Sequence, residues 1–317
     1  MLHLDWLEAF TVFADHLSFT AAARALHLSQ PALHVQIGKL GADLGVPLYV
    51  RRGQRLELTA DGRRVLVFAR EMGERERAFR DVLRGGESLQ PVTLAAGEGS
   101  FLYLLGPAIR AFTRAARAPL RLLTRDREAT LAAVRSGEAH VGVAPIAIMG
   151  EGEGERSSPD LIVDHLTEVA QVLVVPAAHP LARRRSIKLG DLEGARLIVP
   201  PPGRPHRAAI TAALLAAGVS WEPAVEASGW EPMLHFVALG VGIAVVNACC
   251  RLPRGLVARP VPALPRRTYS LIQRRDAAPS PATAELRRVV LAQADAWQRP
   301  PRPPAVARAE PRDGRPR

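Results

Sequence analysis

Apolar positions recur every three to four residues along much of this chain, and the sharpest helical stripe is Leu33, Ile37, Leu40 and Leu44. At about 100° per residue, the opposite face carries Pro31, Val35, Gly38, Lys39 and Ala42, flanked by Gln30 and His34. Ser29 suits the N-cap of this helix and Pro31 its first turn. Just upstream, Phe19 to Leu26 is an Ala-rich helical run with Ser18 as its cap, and His27-Leu28 breaks it. A first helix, Asp5 to Asp15, sets Trp6, Phe10 and Phe13 on one side to pack beneath this pair. Two short helices meeting at a tight turn form a groove-reading helix-turn-helix. After Gly45-Val46-Pro47, Leu48 to Val50 and Leu56 to Leu58 read as two strands around the basic tip Arg51-Arg52-Gly53-Gln54-Arg55. Such a wing reaches phosphates or a minor groove.

Thr59 caps a long helical pattern to Leu83, in which Val65, Ala69, Met72, Phe79 and Val82 keep near-heptad spacing. Pairing with a second copy is the expectation, an ordinary amphipathic helix the alternative. Gly85-Gly86 and Pro91 mark a boundary. Strands at Val92 to Ala96, Leu120 to Leu123 and His140 to Ala144 then alternate with helices at Phe101 to Ala115 and Ala129 to Ser136. After a loop from Gly150 to Pro159, strands at Val172 to Val175, Leu197 to Val199, Ala224 to Glu226 and Gly242 to Val246 alternate with helices at Arg207 to Ala217 and Glu231 to Leu239. A strand from Thr268 to Ile272 and a helix from Ser280-Pro281 to about Gln298 close the pattern. The fold class is α/β with mostly parallel strands, as two lobes around a cleft.

Composition narrows the function less than the pattern does. The 317 residues, 48% apolar, suggest two domains and a sizeable core. The net charge of +11 invites a nucleic-acid reading, yet residues 1–65 hold 7 basic against 6 acidic side chains. DNA binding therefore rests on the motif. The Pro/Arg-rich tail, with 6 basic and 2 acidic residues from Gln298 to Arg317, is expected to be disordered, a solvated extension or a non-specific contact. Two adjacent cysteines, Cys249 and Cys250, exclude a disulfide framework or a CxxC metal pair and read as small buried thiols, with a redox role the alternative. No leader pattern or membrane span is evident, so the cytoplasm is expected. The nine histidines are scattered, without HExxH, and no GxSxG elbow occurs, so neither an enzyme, a metal site nor a cofactor is expected. Gly97 to Ser100 lacks the ending of a phosphate loop.

The run S-F-T-A-A-A-R-A-L-H-L-S-Q-P-A-L-H-V-Q-I-G-K-L-G-A-D-L-G-V-P-L-Y, from Ser18 to Tyr49, and L-T-A-D-G at Leu58 to Gly62 closely resemble the N-terminal signature of LysR-type transcriptional regulators. The resemblance covers roughly residues 1–298. It implies a winged helix-turn-helix DNA-binding domain (1–58), a linker dimerisation helix (59–86), a periplasmic-binding-protein-like effector domain of two α/β lobes (87–298) and a tail (299–317). It places Pro91 to about Asp164 with Arg267 to Gln298 in one lobe and about Leu166 to Arg266 in the other, with hinge strands near Asp164 to Glu168 and Pro262 to Arg267. The implied partners are double-stranded promoter DNA, a small-molecule effector, a second copy or a tetramer, and RNA polymerase. This chain departs from the family pattern at His34-Val35, Gly38 and Gly41, where polar or charged residues are usual.

The DNA-contact candidates are Ser29, Gln30, Pro31, His34, Val35, Lys39, Arg51, Arg52 and Arg55, with apolar contacts to thymine methyls and hydrogen bonds from Gln30 and His34. Ligands of open α/β sheets bind beyond the carboxyl ends of strands, near helix N-termini. That rule selects Ser100, Phe101, Arg125, Asp126 and Pro145 from one lobe, and Gly203, Arg204, His206, Gly229, Trp230 and Val246 from the other. Ser100 also matches the family's effector-contacting hydroxyl. Each has a plainer alternative: Trp230 as a core aromatic, His206 as a capping residue, the arginines as solvated surface. If Arg125 and Arg204 face the cleft, the effector is an anion such as a carboxylate. The function that follows is sequence-specific transcriptional regulation controlled by an effector, with a small-molecule-binding protein whose DNA role is secondary as the alternative.

Overall fold

A computed structural model describes residues 2–83, 90–116, 118–146, 159–277 and 279–297. The expected boundary at Gly85-Gly86, most of the Gly150 to Pro159 loop and the tail lie outside the described residues.

Helices α1 (Leu4–His16), α2 (Phe19–Ala25) and α3 (Gln30–Leu44) bury Leu7, Phe10, Phe13, Phe19, Leu33, Ile37 and Leu40 in one core. The Ser18 and Ser29 hydroxyls accept from the amides of Ala21 and Ala32, each at 3.3 Å, caps worth about 1 kcal/mol apiece. Between them the break at His27 is a turn with His27 in the left-handed region, φ 54°. Strands β1 (Tyr49–Arg52) and β2 (Arg55–Leu58) pair antiparallel from Tyr49↔Leu58 to Arg52↔Arg55, with Gly53 at the left-handed tip.

Helix α4 (Ala60–Leu83) starts under the wing. Thr59 donates to the Pro47 carbonyl (2.6 Å) and accepts from the Gly62 amide (2.8 Å), and any Cβ at Gly62 would overlap the Leu48 carbonyl. The expected heptad stripe divides. Ala69 is buried in the head, with Val65 and Met72 packed beside it, whereas Phe68, Phe79 and Leu83 are the exposed apolar side chains. The side chain of Val82 lies outside the described residues. The same helix docks on the next domain: Glu71 pairs with Arg274, and Glu74 with His140 Nε2 at 3.2 Å, while His140 Nδ1 accepts from the Thr93 amide.

Lobe I is a five-stranded sheet in the order β4 (Leu120–Thr124), β3 (Val92–Ala96), β5 (Val141–Pro145), β12 (Arg267–Arg274), β6 (Leu161–Val169). Only the β3 pairings are parallel; β12 runs antiparallel to β5 and β6. The helix expected from Phe101 to Ala115 is two, α5 (Glu98–Tyr103) and α6 (Gly106–Ala115), because Gly106-Pro107 starts a fresh first turn. With α7 (Arg127–Arg135) and α10 (Pro281–Trp297) they cover the sheet.

In lobe II, β7 (Gln171–Pro176) pairs antiparallel with β10 (Ala244–Asn247) and β11 (Leu256–Pro260), and β8 (Ala195–Val199) pairs parallel with β9 (Trp221–Glu226). The Ile198 amide donates to Ile243 and the Ile243 amide to Arg196, which joins the two sheets. Helices α8 (Pro205–Ala216) and α9 (Trp230–Ala238) complete this lobe. One of the two expected hinge crossings is displaced. β6 belongs to the lobe I sheet through Val169, so one crossing falls at Ala170 and the other between Pro260 and Arg267. Gln171 donates to the Pro265 carbonyl (2.7 Å) and ties the two crossings together.

Candidate functional site

The face of α3 opposite Leu33 and Ile37 is open. Ser29, Gln30, Pro31, His34, Val35 and Lys39 are all exposed, as are Arg51, Arg52 and Arg55 on the wing. Val35 projects with 54% of its surface free. His34 lies flat on Phe19 (ring centroids 4.1 Å), which Phe13 and Tyr49 back from below. Lys39 stands 5.9 Å over the Trp6 ring, and Gln30 Oε1 accepts from Thr20. Arg52 pairs with Glu57 at 3.4 Å in the open, where such a pair holds little energy and yields to a stronger anion. Gly38 has nothing near it, but a Cβ at Gly41 would stand 3.2 Å from the Val46 carbonyl. Only the first of these glycines belongs to the outward face.

The cleft collects residues from both lobes. Asp126 caps α7 by accepting from the Ala129 amide (3.0 Å) and receives Arg204 of lobe II at 2.8 Å. These hydrogen bonds, the amide first, hold the Asp126 carboxyl below its usual range. Tyr103 donates to Glu231, and burial, with that hydrogen bond second, pushes the phenol well up. Trp230 lies against the backbone of Gly99, so closely that a Cβ there would meet its Cδ1 at 2.5 Å. The Glu98 carboxylate reaches Gly229 in the same way.

Several expected ligand contacts are placed otherwise. Val246 is fully buried in the lobe II core, Phe101 packs on the lobe I core, and Ser100 is 3% exposed. Pro145 ends β5 half-buried, while Gly203 is exposed in the left-handed region. Arg125 is engaged by Glu138 (3.0 Å), beyond the other end of α7, and Arg204 by Asp126. Both arginines that suggested an anionic ligand already have carboxylates.

The cation that the sequence reading missed is Arg267. It starts β12 at the hinge; its charge is felt at His206 on the α8 N-terminus of lobe II, and it feels that of Arg127 on the α7 N-terminus of lobe I. Among the described residues no carboxylate lies within ion-pair distance of it. Burial, and the like charge of Arg127, hold its pKa below the usual guanidinium range. Beside it Tyr269 accepts from Asn247 Nδ2 (2.9 Å), and burial pushes its phenol up to about 12. Among the described residues, Asn247 Oδ1 and His206 Nδ1 are buried without a partner.

His206 is a core histidine. Its Nε2 lies 2.8 Å from the Val245 carbonyl, which can only accept, so the proton sits on Nε2, and Trp230 packs edge-on at 4.7 Å. Burial, helped by the Arg267 charge, lowers its pKa to about 4. The unfolded chain binds a proton near the ordinary value of about 6.5, so the neutral fold is favoured above that pH and loses about 3 kcal/mol as pH falls towards 4. Thermal unfolding from pH 7 to 4 is expected to show this loss and His206→Gln to flatten it; superimposable profiles would exclude His206 as its source.

A hollow of about 1140 Å³ lies outside the cleft, between α4 and lobe I. Several of its charged residues are already paired, Glu71 with Arg274, Glu74 with His140, and Arg287 with Asp164 outside the hollow. That makes it a joint. The two thiols pair with each other, the Cys250 S–H holding Cys249 below the usual thiol range and itself raised.

Residues 4–63 match the family described as bacterial regulatory helix-turn-helix protein, lysR family, and residues 85–295 match the LysR substrate binding domain. The chain belongs to the LysR family of transcriptional regulators. It is 29% identical over 301 residues to the RuBisCO operon transcriptional regulator of Allochromatium vinosum, covering 92% of this chain and 96% of that protein. It is 34% identical over 251 residues to the regulator TfdS of Cupriavidus pinatubonensis, covering 76% of this chain and 81% of that one. Its fold is similar to that of full-length CbnR solved with its target DNA, with a TM-score of 0.57 at 24% identity, covering 92% of this chain and all of that one. In this LysR-family chain most of α4 falls between the two matched segments. It joins a DNA-binding head to an effector domain. No helix among the described residues is long and apolar enough to cross a membrane.

Proposed function

We propose that this regulator sets the exposed face of α3 in the major groove of promoter DNA, rests Arg51, Arg52 and Arg55 on the flanking backbone, and is controlled by a small anion held at Arg267 between the lobes. The complex of CbnR with its target DNA supports the first part, since its fold is shared. Gln30 and Val35 offer an amide and an apolar contact to base edges, and the wing supplies cations for phosphates. Two copies joined along the Phe68, Phe79 and Leu83 edge of α4 present two heads to a pseudo-palindrome. The place of action is the cytoplasm, with RNA polymerase as the neighbouring machine, and catalysis has no part in the reading.

The observation that carries the ligand is the largely buried, unpaired Arg267. Keeping a guanidinium from water costs several kcal/mol unless a partner repays it. A carboxylate or phosphate entering the cleft supplies that partner, and the N-termini of α7 and α8 add a favourable field. The orphaned His206 Nδ1 accepts from a ligand hydroxyl or amine. Calorimetric titration with a panel of small carboxylates and sugar phosphates is expected to find a ligand that Arg267→Met binds at least about tenfold more weakly. A ligand bound equally by both proteins would remove Arg267 from the site.

A further inference from the structure

The cleft and the DNA-binding head meet the two ends of one short helix. α7 has nine residues and spans about 13 Å. At its start, Asp126 holds the Ala129 amide with one oxygen and Arg204 of lobe II with the other. At its end, the Ser136 carbonyl (2.8 Å) and hydroxyl (2.7 Å) both accept from Arg70 Nη1 of α4. The other Arg70 nitrogen, Nη2, binds Asp15 of α1 at 2.5 Å, inside the head. The Arg70 side chain is only 13% exposed, which shelters these bonds from water. A second strut runs alongside: Arg125, next to Asp126, reaches Glu138, whose amide donates to the Ser136 hydroxyl (3.4 Å). Lobe II is thereby connected to the head through Arg204, Asp126, α7, Ser136, Arg70 and Asp15.

We propose that α7 is the lever by which the state of the cleft is passed to the head. A hydrogen-bonded helix in a close-packed interior moves as a unit and does not compress. α7 packs on β5 at Gly142, where the Thr130 and Val134 methyls would meet a Cβ at 3.0 and 2.8 Å, and Leu131, Ala133 and Val134 are buried in the core beneath it. A ligand anion that draws Arg204 from Asp126 releases the first turn of α7, and the displacement reaches Arg70 at the last. By linkage the dependence is mutual, so loosening Arg70 weakens the Arg204 latch. The lever rests on the reading that the cleft binds a small anion, but its test needs neither ligand nor DNA.

Hydrogen exchange by mass spectrometry on the full-length protein compares the wild type with Arg204→Ala, Arg70→Ala and the double variant. Arg204 is exposed, so its removal spares the fold. The lever predicts that Arg204→Ala speeds exchange in α4 residues 66–76 by roughly 2- to 30-fold. Distant substitutions without a shared partner act independently. Here the double variant is expected to exchange in α4 as Arg70→Ala alone does, and Arg70→Ala to speed exchange around Arg204. Three outcomes overturn the lever: changes confined to residues 124–131 and 200–210, α4 effects that simply multiply, or a uniform rise through the β3 and β7 cores. Failure of the anion reading shows instead in the Arg267 calorimetry.

Discussion

Replacing Val35 by aspartate is expected to weaken binding to promoter DNA by about 100-fold or more while leaving the melting temperature unchanged. Val35 stands on α3 with its side chain free, opposite the buried Leu33 and Ile37, so the substitution disturbs no core contact. Surface changes of this kind shift stability by about 0.5 kcal/mol or less. In the groove, the apolar contact is lost and a carboxylate facing phosphates costs several kcal/mol. Fluorescence anisotropy with a labelled duplex from upstream of the gene, paired with a thermal melt, separates the two effects. Undiminished affinity would remove α3 from the groove.

Phe13→Ala is expected to unfold the head and leave the lobes intact. Phe13 is fully buried, 4.4 Å from the Phe19 ring and 5.2 Å from Tyr49, and Phe19 carries His34 on its other side. Truncating such a ring costs about 3–5 kcal/mol, a large part of the roughly 5–15 kcal/mol that holds a domain together. The cavity opens directly under the support of His34, so DNA binding falls with the fold. Calorimetry is expected to show an early head transition and an unchanged later one for the effector domain. An unaltered single transition would mean that the aromatic cluster does not hold the head.

The head was legible because its signals are local. Ser18, Ser29 and Thr59 cap the helices they precede, and a stripe of four apolar residues with one buried face leaves only one way to orient α3. The effector domain was legible in element type and less so in joints. Gly106-Pro107 divides a helix whose apolar spacing runs on across it. β11, a half-buried edge strand ending in Pro260, lacks a hydrophobic run. The hinge depends on β6 pairing with a strand a hundred residues away, which no local period reveals.

The cleft was the least legible part for the same reason. Charge is visible in a sequence, but the partner that satisfies it is not. Arg125 and Arg204 carry the right charge and are taken by Glu138 and Asp126, whereas Arg267 sits at the hinge without an ion-pair partner among the described residues. Rules based on strand ends selected His206 and passed over Arg267 because it begins a strand rather than following one.

Groove reading by α3 is tested most directly by anisotropy of the full-length protein with its upstream duplex and with a scrambled duplex of equal length, repeated from low to high salt. The expected result is a preference for the upstream sequence of about 1,000-fold or more, carried by α3. Affinity is expected to fall steeply with salt, with a slope reduced by replacing Arg51, Arg52 and Arg55 with glutamine. Equal affinity for the two duplexes, or a salt slope indifferent to the wing, would contradict this reading.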